Sequence, residues 1–261
     1  MPQVIECPIS GEAMAHAFSE TLLGKYQVAY YHCAGCGLLK TEPPYWLDEA
    51  YRDAINDCDT GILARNHANA ELVEIILEAL ALENGRVLDI AGGYGLLTRL
   101  LRDKGFDAYS TDKYCSNLFA KRFEPTAGFK ADALLAFEVL EHVEDPVAFV
   151  QEAFSRYQCR TLVFSTLTFS GAVPPRKWWY YLFGTGQHIT FYQSRTLAAL
   201  ARRLGCSYYM VSNDLHVFTG EPVPLPRRWL FLRESLRTVY GRYLRHKRRG
   251  LSKTWSDHLE A

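Results

Sequence analysis

Long apolar runs are missing from this sequence, and none approaches the roughly 18 residues that a membrane span requires. Met1 to Ser10 carries neither the basic stretch nor the apolar core of a secretory leader. A cytoplasmic protein is the expectation. Internal repeats and low-complexity tracts are missing as well, which excludes a repeat array. Net charge is missing from the whole, with 29 Lys and Arg against 29 Asp and Glu, while 48% of the residues are apolar. That balance excludes wholesale disorder and fits a soluble globular chain. An even cysteine count is lacking too: Cys7, Cys33, Cys36, Cys58, Cys115, Cys159 and Cys206 make seven. Without an export signal they read as reduced thiols.

The 261 residues suffice for one large domain, or a domain with an appendage, and for a sizeable core. The zero net charge hides an asymmetry. Arg227 to Ala261 holds ten Lys and Arg against three Asp and Glu, so a basic tail follows an acidic body. Four segments follow from composition. Residues 1–40 form a Cys-containing, knuckle-like segment and 41–62 a connector with Pro43-Pro44. Residues 63–220 form the main domain, and 221–261 a basic helical tail behind a Pro-rich break.

In the main domain, Leu72, Ile75, Ile76, Ala79 and Leu80 recur at helical spacing, with Glu71, Glu74 and Glu78 on the other face. Arg86 to Ile90 reads as a short buried strand. The turn Ala91-Gly92-Gly93-Tyr94-Gly95 leads from it into a helix carrying Leu96, Leu97, Leu100 and Leu101. Phe106 to Asp112, Ala133 to Val139 and Thr161 to Thr168 read as further strands. Asp145 caps a helix starting at Pro146, Ser194 caps another, and Ser207 to Thr219 reads as a closing strand pair. Such alternation predicts an α/β fold: a largely parallel sheet with helices on both faces.

In such a sheet, ligands bind outside the carboxyl ends of the strands. The glycine turn lies there, flanked by Asp89 at the end of its strand and by Asp112 at the end of the next. Gly93 and Gly95 permit close backbone approach, and the helix behind them offers free N–H groups. A carboxylate at Asp112 can accept both ribose hydroxyls of a nucleoside. The dinucleotide pattern G-x-G-x-x-G is broken, because Thr98 stands where its third glycine would be. Two carboxylates suit a ligand with an ammonium and a sulfonium better than a pyrophosphate.

These residues resemble a known family. Val87 to Gly95 is similar to the first motif of class I S-adenosylmethionine (SAM) dependent methyltransferases, Asp112 to their second-motif acid, and Phe137 to Pro146 to their fourth-strand motif. The resemblance covers roughly residues 63–220. It departs at Ala91, where the family has glycine, and between Asp112 and Ala131, where the third-strand acid is missing. It implies a Rossmann-like sheet of seven strands, with Asp89, Ala91, Gly92, Gly93, Gly95, Asp112 and Glu138 as SAM-binding residues. Arg65, ahead of the first helix, is a candidate partner for the methionine carboxylate.

Methyl transfer needs an aligned nucleophile, a dry site and often a base. His142 leaves the third strand of the alternating domain and is one base candidate; a structural hydrogen bond to a loop carbonyl is its plainer role. A metal at Glu141 and His142 has no third ligand at a readable spacing. Pro174 to Tyr192 is too long and too aromatic for a plain connector. Its Trp-Trp-Tyr-Tyr and Gly-Gln-His stretches suit a polar substrate that stacks. They are similar to methyltransferases of glycan and polysaccharide biosynthesis. His188 is the first choice as base; burial of the aromatics and of His188 in a small core is the alternative.

Cys33 and Cys36 have the spacing of half a zinc site, and Cys7 would join them. Ser10 stands where a fourth cysteine would complete the set, leaving His16 or His32 as fourth ligand; a metal-free knuckle is the alternative. In the tail, Trp229, Leu232, Leu236, Val239, Tyr240 and Tyr243 repeat at helical spacing among arginines, and Lys247, Arg248 and Arg249 extend the positive run. This reads as a packed basic helix, or as one that meets a membrane surface.

The expectation is a methyltransferase that uses SAM, with a possible zinc, acting on an oxygen or carbon of a small polar acceptor such as a sugar or glycan precursor. Nucleic acid is not an expected partner of it. Two other readings stand beside it: an NAD(P)-dependent oxidoreductase, and a non-enzymatic module binding nucleic acid or a membrane surface.

Overall fold

A computed structural model describes residues 5–51, 60–248 and 250–259. Cys58 and Arg249 lie outside the described residues. The strands are β1 (Ala15–Leu22), β2 (Tyr26–His32), β3 (Leu39–Thr41), β4 (Arg86–Asp89), β5 (Asp107–Ser110), β6 (Ala133–Ala136), β7 (Thr161–Ser165), β8 (Thr168–Phe169), β9 (Thr190–Gln193), β10 (Ser207–Met210) and β11 (Leu215–Thr219). The helices are α1 (Leu47–Ala50), α2 (Ile62–Leu80), α3 (Leu96–Asp103), α4 (Pro146–Tyr157), α5 (Ser194–Arg203), α6 (Leu225–Leu232), α7 (Glu234–Lys247) and α8 (Thr254–Leu259).

The strands join into two sheets, β10-β11-β7-β6-β4-β5 and β1-β2-β3-β9-β8. The expected seven-stranded sheet therefore has six strands among the described residues. Residues 111–132, between β5 and β6, form neither helix nor strand. This stretch carries Pro125 and Gly128 and lacks the alternation a strand needs. Its Phe123 carbonyl accepts the Ser110 N–H of β5 instead (2.8 Å).

By compactness the chain divides into two units that do not follow chain order. One comprises Met1–Ala54, Glu138–Glu152 and Phe164–Phe218; the other comprises Ile55–Phe137, Ala153–Val163 and Thr219–Ala261.

The first unit contains the five-stranded sheet. β1, β2 and β3 pair antiparallel, and β3 pairs antiparallel with β9 through Leu39 with Phe191 and Lys40 with Thr190. The Cys-containing segment is thus the start of a sheet that β9 and β8 complete. Its core gathers Phe18, Leu22, Val28, Tyr30, Trp46, Tyr180, Tyr181 and Phe191. Trp46, in the Pro-rich connector, is fully buried and donates its indole N–H to the Gly186 carbonyl (2.7 Å). The Asp145 carboxylate caps α4, accepting from the N–H groups of Val147 and Ala148 (3.0 Å each). The cap of α5 is Gln193, which forms a capping box with Thr196, so Ser194 is the first helical residue and not the expected cap.

In the second unit β4 pairs parallel with both β5 and β6, and Val87, Leu88, Ala133, Leu134 and Leu135 are buried. α2 buries Val73, Ile76, Leu77 and Ala79. Its acidic residues, on the other face, meet the tail and Lys104 at the end of α3. Lys104 and Arg245 pair with Glu71, Lys104 and Arg248 with Glu74, and Lys247 and Arg248 with Glu78. The tail is three helices, broken at the extended residue Arg233 and again before α8. Its last helix places Asp257 in a two-pronged bond with Arg102 of α3 (2.7 Å for each prong) and beside Arg99 (2.9 Å).

Candidate functional site

The glycine turn is held between strand ends. The Gly92 N–H donates to Thr111, the Gly95 N–H to Gly92, and the Thr111 N–H to Asp89. Gly93 and Gly95 have φ of 55° and 82°, values that favour glycine. A Cβ on Gly92 would collide with the Ser110 hydroxyl and press on the Asp89 carboxylate, whereas the space at Gly93 is open. Beneath the turn, Asp89 is buried, and its Oδ1 has no hydrogen-bond partner; the Ser110 Oγ is likewise buried and unpartnered. Burial pushes the Asp89 carboxyl up to about 7, and the Asp112 charge adds to this.

Asp112 accepts the Gly93 N–H at one oxygen (2.9 Å) and those of Tyr114 and Cys115 at the other (2.7 and 2.8 Å). Three bonds leave one of the roughly four acceptor positions of a carboxylate. The turn and the acid are therefore one rigid piece. Leu118 and Phe119 hang their N–H groups on the Tyr94 carbonyl and leave exposed apolar side chains beside the turn. Thr98, in the place of the missing third glycine, bonds to the Tyr109 carbonyl of β5 (3.1 Å). Arg65 is exposed on the first turn of α2.

In the first unit, Glu138 has a left-handed backbone (φ 55°), a conformation costing a non-glycine residue roughly 1–2 kcal/mol. Ser165 holds it there, accepting the Glu138 N–H and donating to its carboxylate (2.7 Å each). A 3-10 turn follows, carrying Glu141 and His142. His142 Nδ1 lies 3.0 Å from the Gln187 carbonyl, and His188 Nδ1 lies 2.7 Å from the Tyr180 carbonyl. A carbonyl only accepts, so each Nδ1 carries the proton and each Nε2 keeps its lone pair. Burial lowers His142 to about 4 and His188 to about 3, keeping both rings neutral. The rings meet edge to face at 4.8 Å.

Glu141 and Tyr180 complete this cluster, and no residue spacing signals that they meet. The Tyr180 hydroxyl donates to Glu141 Oε1 (2.8 Å), while Glu141 Oε2 is buried without a partner. Burial, then the neighbouring Glu138 charge, push the Glu141 carboxyl up to about 8. The aromatic stretch is mostly core: Tyr180 and Tyr181 are buried, Trp178 packs on Phe169 and Phe191, and Trp179 is exposed. Gln187 serves the fold, donating to the Ala50 carbonyl (2.8 Å).

The structure brings Cys7, Cys33 and Cys36 together, their sulfurs within 4.8 Å of one another. Cys7 and Cys36 are 3.5 Å apart, and the hydrogen bond between them lowers Cys7 and raises Cys36. Ser10 Oγ is 3.3 Å and Glu12 Oε2 3.7 Å from Cys33 Sγ. His16, an expected fourth ligand, bonds to Ser19 and packs on Tyr31 instead (3.0 Å to the hydroxyl). His32 does not join the sulfurs either, because it ends a strand whose alternation turns it away from Cys33. Glu12 was not foreseen.

A family model described as a methyltransferase domain matches residues 64–211, more than half of the chain. The chain belongs to the class I methyltransferases. The oxidoreductase and non-enzymatic readings fall with that assignment. No curated protein matches the sequence. Among solved structures, an O-methyltransferase family 2 protein from Planctomyces limnophilus DSM 3776, complexed with apigenin, is 17% identical with a TM-score of 0.45, over 67% of this chain and 65% of that one. A magnesium protoporphyrin IX methyltransferase from Synechocystis PCC 6803 with bound SAH is 16% identical with a TM-score of 0.42, over 67% and 94%. TnmH is 20% identical with a TM-score of 0.42; the match covers 68% of this methyltransferase and 62% of the TnmH chain.

The residues around the turn fit SAM, the methyl donor that the resemblance implies. A buried carboxylate with an orphaned oxygen, an unpartnered hydroxyl and a glycine cradle that a Cβ would fill together answer a cationic, hydroxyl-rich ligand. No helix is long and apolar enough to cross a membrane among the described residues.

Proposed function

We propose that this chain transfers the methyl group of SAM to an oxygen or carbon of a small polar acceptor, a sugar or glycan precursor. The observation that carries the reading is the orphaned oxygen of buried Asp89 beneath the glycine turn. Bound there, SAM supplies an electrophilic methyl on a sulfonium. Asp89 pairs with the ammonium, Gly92, Gly93 and Gly95 let the backbone close on the methionine part, with Ala91 at the turn entrance, and Asp112 offers its remaining acceptor position to the ribose. Leu118 and Phe119 are the surfaces for adenine in a segment without the third-strand acid. Glu138, strained and fixed by Ser165, is the polar group at the start of the acceptor-side segment.

On the acceptor side, His188 and then His142 present the Nε2 lone pairs to an acceptor hydroxyl. Exposed Trp179 is the stacking face for a sugar ring. The acceptor gains a methyl and loses a proton, so a lone-pair nitrogen facing it is the group the reaction needs. Label from methyl-labelled SAM, offered with a panel of nucleotide sugars and flavonoid controls, tests the reading. Transfer to a sugar supports it; transfer only to the phenolic controls overturns the acceptor class.

Two further parts of the reading rest on separate observations. Zinc on Cys7, Cys33 and Cys36 is supported by the gathering of their sulfurs, with Ser10 and Glu12 nearest the open side. Membrane-surface contact by the tail is supported by its second apolar face. Phe231 and Leu244 are buried, yet Trp229, Leu232, Leu236, Val239 and Tyr243 remain exposed among arginines. Cytoplasmic residence agrees with both.

A further inference from the structure

We infer that Glu141, His142 and His188 form a binding site for one divalent transition-metal ion, separate from the cysteine cluster. A carboxylate oxygen of Glu141 and one ring nitrogen of each histidine lie within 4.8 Å of one another. Two independent features point these groups at a cation. Both Nδ1 atoms are committed to backbone carbonyls, so the nitrogens left are the two Nε2 lone pairs. A carbonyl on the far nitrogen is the usual device that fixes the tautomer and ring orientation of a metal-ligating histidine. Glu141 is fully buried, with one oxygen bonded by the Tyr180 hydroxyl and the other without any partner. A buried acceptor left unpaired is costly and rare in folded proteins, so such a group needs a ligand to account for it.

Two imidazoles and one carboxylate are the donor set of open zinc and non-haem iron sites, which keep positions free for substrate. Liganded atoms sit closer together than 4.8 Å, so binding draws the three side chains inward. Tyr180 acts as a positioning residue, through its hydroxyl on Glu141 and its carbonyl on His188. Occupancy does not depend on the methyltransferase reading. Only the ion's role rests on it: a Lewis acid that acidifies an acceptor hydroxyl.

The test is Co²⁺ titration of the full chain after dialysis against a chelator, followed by absorption. Cobalt on nitrogen and oxygen ligands gives visible bands without the intense near-ultraviolet band of thiolate ligation, so the two clusters are read separately. The expected result is one equivalent of cobalt without thiolate bands. Glu141→Gln should weaken it at least about 100-fold, and Tyr180→Phe, which keeps every ligand, about 10–100-fold. Circular dichroism and SAH binding verify the fold of each variant, and Tyr180→Phe answers the question if Glu141→Gln unfolds. Cobalt bound only with thiolate bands overturns the site. So does undiminished affinity in folded Glu141→Gln or Tyr180→Phe. Failure to bind SAH with the cobalt site intact overturns the methyl-donor reading and leaves this one standing.

Discussion

At Asp89, burial sets the charge state on which the proposed SAM binding depends. Its carboxyl is held near 7 by burial, so at pH 6 most of it is protonated and cannot pair with an ammonium. SAM affinity should therefore rise as pH increases from 6 to 8, approaching tenfold per unit below 7. Asp89→Asn should weaken SAM about 10–100-fold and remove this pH dependence, a pair of results calorimetry reads directly. The stability sign is opposite. A raised carboxyl favours the fold at low pH and loses that advantage as pH rises through 7, so Asp89→Asn should be no less stable than wild type at pH 8. The place of Asp89 beneath the turn was legible because strand, acid and glycine turn are neighbours in sequence. Glu141 with Tyr180 was not, because a hydrogen bond across a long loop leaves no periodic trace.

Helix ends and helix faces carry the next predictions. α2 closes on Ala81 in a left-handed conformation (φ 59°). Ala81→Gly should raise stability by about 0.5–1 kcal/mol in chemical denaturation, since glycine relieves that strain. α8 depends on Asp257, which burial alone would raise but the Arg102 and Arg99 guanidinia hold below the usual carboxylate range. A depressed carboxyl stabilises above its unfolded pKa and stops doing so as pH falls through the folded value. The docking of α8 should thus fail on acidification below about pH 4. Asp257→Ala removes the two-pronged partner of the buried Arg102 guanidinium but leaves Asp107 beside it, so it should cost less than the about 3–5 kcal/mol of a fully broken buried pair, seen as early hydrogen exchange in α8. The tail's helical spacing was legible; which face it buries was not. Apolar residues occur on two sides, and only contact with Glu71, Glu74, Glu78 and Ile75 of α2 decides between them.

At the scale of the whole molecule, the acidic body and basic tail seen in the composition meet as ion pairs inside one unit, while the exposed apolar stripe remains. Binding to vesicles with anionic lipid should then need the stripe: Leu232→Ser with Val239→Ser should abolish sedimentation with vesicles while SAH binding persists. The parallel strands followed from local alternation. The five-stranded sheet did not, since its β3–β9 pairing joins residues far apart in the chain and β3 has only three residues. The missing strand after β5 left one signal, the absent third acid. The central claim is a SAM site built on Asp89 and the glycine turn. Calorimetric titration of the folded chain with SAM, SAH and NADH tests it most directly. The account predicts one site per chain for SAM and for SAH in the micromolar range, weakened by Asp89→Asn, and no heat from NADH. Absence of binding by both adenosyl ligands, or binding that Asp89→Asn leaves unchanged, would contradict it.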